Sequence, residues 1–274
     1  MRSVLAVFLL IILVACQSQP VQTIPTQQPT SNNSGSQTIT VFAAASLTDV
    51  VNEIGRIFEE NNPNVQFIYN YAGSQQLAHQ ISQGAPVDVF LSANQVQAEA
   101  VLEVGRARQE DILPFAGNHL VIAVPAVSQG LVATFSDLAR PELKLVVAAP
   151  EVPAGRYFTE VLEKAGSDAA WGEEFVLSVK ANIVSYEENV RAVLSKVILG
   201  EADAGIVYYS DALLAGAEQV GWIEIPAAIN TQATYYIVPI DEALSDPAVG
   251  EYVQFILSDE IQPVLAEFGL LNTR

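Results

Sequence analysis

The sequence predicts an α/β fold in which mostly parallel strands are covered by helices on both faces. Short apolar segments, typical of buried strands, alternate with segments of helical spacing from residue 39 to the carboxyl terminus. Half of all residues are apolar and 16% are charged, which is the composition of a folded protein. Residues 38–274 are long enough for one large domain or two modest ones, and they show no repeat of fixed period.

The first predicted strand and helix meet at Ser46, within residues 39–49 (ITVFAAASLTD). Ile39, Val41 and Phe42 favour a strand, and Ser46 with Asp49 three residues later has the spacing of an N-cap with a capping box. The first N–H groups of a helix have no partner within it, and the helix dipole is positive there. Ser46 is therefore expected either to cap its helix alone or also to contribute to an anion site.

The later elements continue the alternation. We predict strands at residues 65–72, 88–93, 119–125, 143–150, 205–208 and 235–240, and helices at residues 75–83, 95–104, 154–165, 189–199 and 247–268. Pro263 is expected to break or kink the last helix. Ligands of α/β sheets bind beyond the carboxyl ends of strands, and Ser46 and Ser74 both follow such ends.

Three more predicted helix starts resemble the one at Ser46. Ser74 follows the strand that ends in Tyr-Ala-Gly, Ala154 stands between Pro153 and Gly155 with its N–H unobstructed, and Val190 opens the helix NVRAVLSKV. Each start alone is more typical of a plain cap than of a ligand site. Four starts that converge would form a socket for an anion.

The amino terminus has the features of a bacterial lipoprotein. We predict a signal peptide at residues 1–15, because its apolar run is too short to span a bilayer. The ending LVAC resembles a lipobox, so Cys16, the single cysteine, is expected to carry the lipid, the alternative being an incidental thiol. Residues 16–37 hold prolines and no charge, and are expected to form a disordered tether. These features predict an extracytoplasmic protein, in the periplasm or on the outer face of the cell membrane, held to the membrane by lipid alone.

The formal net charge of −19 limits the partners that this protein can have. Nucleic acid is excluded as a ligand, because its phosphates require basic patches and the sequence has no cluster of lysine and arginine. An acidic protein can bind an anion only in an enclosed site made of neutral donors and dipoles.

Five blocks of the sequence, in a consistent order, resemble the periplasmic molybdate-binding proteins of ABC transporters. They are residues 39–49 (ITVFAAASLTD), 84–94 (GAPVDVFLSAN), 152–157 (VPAGRY), 188–194 (ENVRAVL) and 205–212 (GIVYYSDA). The resemblance implies a two-lobed periplasmic-binding-protein fold, in which each lobe is a mostly parallel sheet flanked by helices. It further implies that residues 38–117 plus 233–274 form lobe one and residues 118–232 form lobe two. Hinge crossings are expected at residues 117–120 and 232–235.

The same resemblance implies the ligand and the residues that contact it. The ligand is molybdate or tungstate, bound by the hydroxyls or amides of Ser46 and Ser74, the amides of Ala154 and Val190, and the Tyr208 hydroxyl. Gly73 departs from one common form of the family, in which a serine stands before the second serine. The resemblance implies no catalytic step, no cofactor and no other metal site. The expected partner is an ABC permease subunit, and the protein is expected to be a monomer.

The chemistry of these five residues agrees with a fully deprotonated dianion. Molybdate, tungstate and sulfate need donors only, whereas phosphate retains a proton and favours a carboxylate in its site. None of the five residues is acidic. Sulfate therefore stays an alternative ligand on this reasoning.

Other side chains suggest other functions. The pairs Tyr208-Tyr209 and Tyr235-Tyr236 could supply oxygen ligands to ferric iron, although one tyrosine of each pair is expected in the core. A serine-dependent hydrolase is less well supported, because neither serine has a Gly-x-Ser-x-Gly motif. The remaining candidates are expected to have structural or exposed positions: His79, His119, Arg156, Arg191, Trp171 and Trp222. The two arginines among them could also change the electrostatic potential at the anion site.

Overall fold

The computed structural model describes residues 36–128 and 131–273. The predicted signal peptide, the lipidation site Cys16 and nearly all of the predicted tether lie outside the described residues. Nine strands are described: β1 Gln37–Ala44, β2 Val65–Ala72, β3 Val89–Ser92, β4 Leu113–Pro125, β5 Leu145–Ala148, β6 Ile183–Glu187, β7 Ala204–Tyr208, β8 Val220–Glu224 and β9 Gln232–Pro239. Nine α-helices are described: α1 Thr48–Asn61, α2 Ser74–Ser82, α3 Gln95–Glu103, α4 Pro153–Ser167, α5 Gly172–Ala181, α6 Val190–Ile198, α7 Tyr209–Ala215, α8 Pro247–Ile256 and α9 Gln262–Glu267.

The described strands form one continuous sheet with the order β2-β1-β3-β9-β4-β7-β5-β6, and β8 pairs with β4. Parallel pairs join β2, β1 and β3 at one end and β6, β5 and β7 at the other. Helices lie between the parallel strands in sequence, which confirms the α/β fold class.

Two long strands connect the ends of the sheet, and they correct one detail of the prediction. β4 pairs antiparallel with β9 over residues 113–119 and with β7 and β8 over residues 120–125. β9 also pairs antiparallel with β3. These antiparallel pairs make the sheet mixed, with parallel pairs toward both of its ends. β4 also begins six residues earlier than predicted, since Pro114 and Gly117 obscure its apolar pattern.

Three hydrophobic clusters fill the space between sheet and helices. Two clusters consist of residues between 39 and 116 and between 235 and 270. The third consists of residues between 120 and 233. We call the parts of the chain around these cores the first half and the second half, respectively. β4 and β9 pass between the halves side by side, with Gly117 opposite Thr234 and His119 opposite Gln232.

The described helices are short relative to a bilayer. In residues 36–128 and 131–273, no helix has both the length and the apolar composition needed to cross a membrane. The predicted terminal helix is two helices, α8 and α9, and Pro263 lies in the first turn of the second one.

Candidate functional site

A small cavity lies where the two halves face each other. It contains about 220 Å³ of space free of protein atoms. The lining residues come from the ends of strands and the starts of helices: Ala44, Ala45, Ser46, Ala72, Gly73, Ser74, Ala93, Val152, Pro153, Ala154, Asn189, Val190 and Tyr208. All five predicted contact residues are in this set, two from the first half and three from the second.

Ser46 lies at the cavity but does not cap a helix, so that prediction is wrong. After β1 the chain makes a turn of 3₁₀ helix over Ala45–Leu47, and α1 begins only at Thr48. Thr48, not Ser46, bonds the local backbone, through its hydroxyl and the Ala45 carbonyl. The Ser46 hydroxyl, buried at 4% exposure, lies 3.0 Å from the hydroxyl of Tyr235 on β9.

Ser74 is the first residue of α2, and Gly73 is the N-cap. The Gly73 N–H donates to Oε1 of Gln76, which satisfies one of the free N–H groups of this turn. The Ser74 hydroxyl oxygen accepts a bond of 3.0 Å from the Ala93 N–H at the end of β3. The hydroxyl proton of Ser74 is thus free to be donated elsewhere. A Cβ at Gly73 would lie 2.5 Å from the Glu188 carbonyl oxygen, so glycine permits this close approach of the second half.

Ala154 reaches the cavity because the start of α4 packs closely on the end of β5. Val152 is the N-cap and Pro153 occupies the first turn, where its missing N–H is not needed. A Cβ at Gly155 would lie 2.1 Å from the Ala149 carbonyl oxygen, so only glycine fits at this contact. Ala154 lines the cavity, and its N–H belongs to the first turn, where a helix has no internal acceptor for it.

Val190 begins α6, and its N-cap is Asn189. The Asn189 side chain accepts a bond of 3.0 Å from the Ala192 N–H, which satisfies the third N–H of the helix. The N–H of Val190 has no acceptor within its own helix. Two helices of the second half thus begin at the cavity, with the positive ends of their dipoles toward it.

Tyr208 contributes a buried hydroxyl at the end of β7. Its side chain is 1% exposed, and its hydroxyl has no hydrogen-bond partner among the described residues. Burial, with smaller contributions from Tyr235, Tyr157 and Asp211, raises the pKa of Tyr208 well above the ordinary value, so the hydroxyl keeps its proton. An unpaired buried hydroxyl that faces a cavity is suited to donate to a ligand.

The lining of the cavity is neutral, but charged residues lie behind it. No Asp or Glu is part of the lining among the described residues. Arg191 Nε lies 2.7 Å from Oδ1 of Asp211, which is fully buried, and the same guanidinium pairs with Asp49. Burial raises the pKa of Asp211 to about 6, against the opposing effect of Arg191. The predicted influence of Arg191 on the site is therefore offset by two carboxylates.

Side chains bridge the two halves around the cavity. Gln75 Nε2 donates to the Glu188 carbonyl at 2.8 Å, and Gln76 Nε2 donates to the Glu188 carboxylate at 2.9 Å. The Arg191–Asp49 ion pair also joins the halves, as does the bond of 3.3 Å from the Tyr157 hydroxyl to the carbonyl of Ala93. The two halves are thus joined by several direct contacts close to the residues that line the cavity.

The two members of each tyrosine pair have different neighbours. The rings of Tyr208 and Tyr235 lie 5.8 Å apart, whereas Tyr209 stacks on His119 and Tyr236 bonds Gln95. Within residues 36–128 and 131–273, no three His, Cys, Asp or Glu side chains are grouped to hold a metal ion.

The other candidate side chains have structural or surface positions. His79 and Arg156 are exposed, and His119 pairs with Glu224. Trp171 and Trp222 pack against the aromatic rings of Phe135 and Tyr209, which agrees with their predicted roles.

Two residues that support the site were not identified from the sequence. Asn118 is a fully buried amide on β4, and it contacts both Tyr235 and Ser210. Tyr157, on α4, bridges the halves. The one indication of Asn118 in the sequence is its position as a polar residue shortly before the apolar run of residues 120–125.

Comparisons with known proteins agree on the family and the fold. Residues 39–271 match the model of a family described as bacterial extracellular solute-binding protein. The molybdate-binding protein ModA of Mycobacterium tuberculosis is 35% identical over 258 residues, which are 94% of this chain and 92% of that protein. A putative ABC transporter substrate-binding lipoprotein of Bacillus subtilis, YvgL, is 33% identical, over 88% of this chain and 89% of that one. The solved substrate binding domain of a putative molybdenum ABC transporter from Clostridium difficile has a TM-score of 0.63 at 29% identity, over 87% of this chain and all of that one.

Proposed function

Because this chain belongs to the family of bacterial extracellular solute-binding proteins, we propose that it captures molybdate for import by an ABC transporter. The protein is a binding protein and not an enzyme. The observation that carries the proposal is the cavity between the halves, whose lining includes the five residues expected to contact the ion and, among the described residues, no carboxylate. Similarity to molybdate-binding proteins over nearly the whole chain supports the same ligand.

Five neutral donors are sufficient to bind a dianion. The donors are the hydroxyls of Ser46, Ser74 and Tyr208 and the amides of Ala154 and Val190. A hydrogen bond to a charged group contributes roughly 1.5–3 kcal/mol, so five supply on the order of 8–15 kcal/mol before ordering costs. Micromolar binding requires about 8 kcal/mol. No lysine or arginine needs to contact the ion.

The donor set also selects among oxyanions. Molybdate and tungstate have no proton and accept from every donor, so both are proposed ligands. Hydrogen phosphate would direct its own O–H at groups that are already donors, and no lining carboxylate is described that could accept it. We expect molybdate to bind at least 100-fold more tightly than phosphate, a difference of about 2.7 kcal/mol.

Binding is coupled to the closing of the halves in this proposal. In this proposal the halves are the two lobes, residues 38–117 plus 233–274 and residues 118–232, and the hinges are proposed at residues 117–120 and 232–235. Because lobe one supplies the two serines and lobe two supplies the other three donors, the full donor set exists only when the lobes are closed. The ligand therefore favours the closed state by its differential affinity.

The proposal places the protein outside the cytoplasm as a lipid-anchored monomer. A lipid on Cys16 and the tether that precedes β1, which begins at Gln37, would hold the folded part near the membrane, where a permease subunit receives the ion. The similarity to a putative lipoprotein of Bacillus subtilis supports the anchor.

Calorimetric titration of the purified protein tests the proposed ligand. Molybdate, tungstate, sulfate, phosphate and ferric iron are titrated separately into the protein. We expect tight binding of molybdate and tungstate, weaker or absent binding of sulfate, and phosphate at least about 100-fold weaker than molybdate. Phosphate or ferric iron as the tightest ligand would refute the proposal.

A further inference from the structure

A line of buried polar groups runs behind the cavity, through both strands that connect the halves. Asn118 Nδ2, on β4, lies 2.8 Å from the Ser210 hydroxyl and 3.4 Å from the hydroxyl of Tyr235, on β9. The Tyr235 hydroxyl lies 3.0 Å from that of Ser46 at the cavity. All four side chains are at most 4% exposed. We call Asn118, Tyr235 and Ser46 the hydroxyl relay.

The orientation of Asn118 sets the direction of the first bond in the relay. Its Oδ1 accepts a bond of 2.9 Å from the N–H of His119. The other end of the amide, which faces Tyr235 and Ser210, is therefore the NH₂ group, and this group can only donate. The Tyr235 oxygen accepts from Asn118.

The direction of the second bond follows from the first. The Tyr235 hydroxyl has one proton, and burial raises its pKa above the ordinary value, so the proton is retained. Since Asn118 offers no acceptor on that side, the proton of Tyr235 is donated to Ser46, its other described partner. The Ser46 oxygen accepts this bond, and its own proton is left to point into the cavity.

We propose that Asn118 and Tyr235 determine specificity by holding the Ser46 hydroxyl as a donor toward the bound oxyanion, an inference that rests on the proposed function. The Ser74 hydroxyl is also left as a donor toward the cavity, because its oxygen accepts a hydrogen bond from the Ala93 N–H. Both serines of the first half are thus fixed as donors before a ligand arrives. A fully deprotonated oxyanion accepts hydrogen bonds from both serines. In a protonated oxyanion, the O–H group of the ion would face a serine hydroxyl that is also a donor, and neither group would have an acceptor.

The test compares molybdate with phosphate at mildly alkaline pH, where inorganic phosphate is mainly the hydrogen phosphate dianion. The two ions then have equal charge, so a variant that changes only the electrostatic potential shifts both affinities equally. Tyr235→Phe removes the donor to Ser46 and lets the Ser46 hydroxyl turn. Asn118→Asp reverses the relay, because an ionised carboxylate accepts from Tyr235, whose oxygen then accepts from Ser46. Tyr252→Phe is the matched control, since Tyr252 is also fully buried but does not line the cavity.

We expect the ratio of molybdate to phosphate affinity to fall roughly threefold to tenfold in Tyr235→Phe and at least about tenfold in Asn118→Asp. The control is expected to keep the wild-type ratio. If Asn118→Asp does not fold, Tyr235→Phe decides the test alone. Molybdate binding with an unchanged ratio in the folded relay variants, or an equal fall in the control, would overturn the relay and leave the proposed function standing. A wild-type protein that does not bind molybdate would refute the proposed function, and the relay with it.

Discussion

Removing the Tyr208 hydroxyl should weaken molybdate binding while stabilising the protein without ligand. Tyr208→Phe takes away one donor and almost no volume. A hydrogen bond to a charged ligand contributes about 1.5–3 kcal/mol, so the affinity should fall roughly tenfold to somewhat over a hundredfold. The backbone donors of Ala154 and Val190 stay in place, and the loss should therefore be partial.

The gain in stability follows from the burial of the same hydroxyl. It has no hydrogen-bond partner among the described residues, and an unsatisfied buried polar group costs about 1–3 kcal/mol. Tyr208→Phe removes this cost from the closed arrangement of the halves, in which the hydroxyl is buried when no ligand is bound. For a domain of this size, each kcal/mol corresponds to about 2–4 °C in Tm, so a rise of a few degrees is expected.

Calorimetry and thermal unfolding measure the two effects, and Tyr252→Phe is the control. The Tyr252 hydroxyl is likewise buried and without a partner in the described part of the chain, but it is remote from the cavity lining. The control should also raise Tm, with wild-type affinity for molybdate. Wild-type affinity in Tyr208→Phe would refute the role of this hydroxyl in the site.

Three further predictions concern the charged groups and the anchor. Asp49→Asn removes the ion pair with Arg191 that joins the halves, but it also removes one of the two carboxylates that offset Arg191 near the site. Because these effects oppose each other and both side chains are partly exposed, molybdate affinity should change by no more than about fivefold, and titration at high salt should abolish the difference from wild type. The raised pKa of Asp211, about 6 against an ordinary 3.8, means that the folded protein binds this proton more tightly than the unfolded chain. The free energy of unfolding of wild type, relative to that of Asp211→Asn, should therefore rise by up to about 3 kcal/mol as the pH falls from above 6 toward 4. Denaturant unfolding of both proteins across this pH range measures this difference. A difference that does not rise would contradict the raised pKa of Asp211. Cys16→Ser should release the protein from the membrane into the soluble extracytoplasmic fraction with unchanged molybdate affinity, and retention of the variant on membranes at high salt would contradict the lipid anchor.

All the parallel strands except β6 (Ile183–Glu187) could be predicted from sequence, because each of them contains a short apolar run bounded by turn residues. β2, for example, has the predicted bounds of residues 65–72. The antiparallel pairs that connect the halves were not predicted, because a strand's direction depends on partners far away in sequence. The early start of β4 was missed for a local reason, since residues 113–118 lack an alternating pattern.

The position of Ser46 was predicted, but its role in the local structure was not. Its spacing to Asp49 is that of a capping box, yet a 3₁₀ turn precedes α1 and directs the Ser46 hydroxyl toward Tyr235. The choice between these arrangements depends on a residue 189 positions away. Asn118, whose contact with Tyr235 spans 117 positions, was missed for the same reason.

A crystal structure with molybdate tests most directly whether the cavity between the halves is the binding site. Anomalous scattering at the molybdenum absorption edge locates the ion. We expect one strong anomalous peak in the cavity between the halves, within hydrogen-bonding reach of Ser46, Ser74, Ala154, Val190 and Tyr208. A peak at any other position, or a cavity without a peak at saturating molybdate, would contradict this expectation.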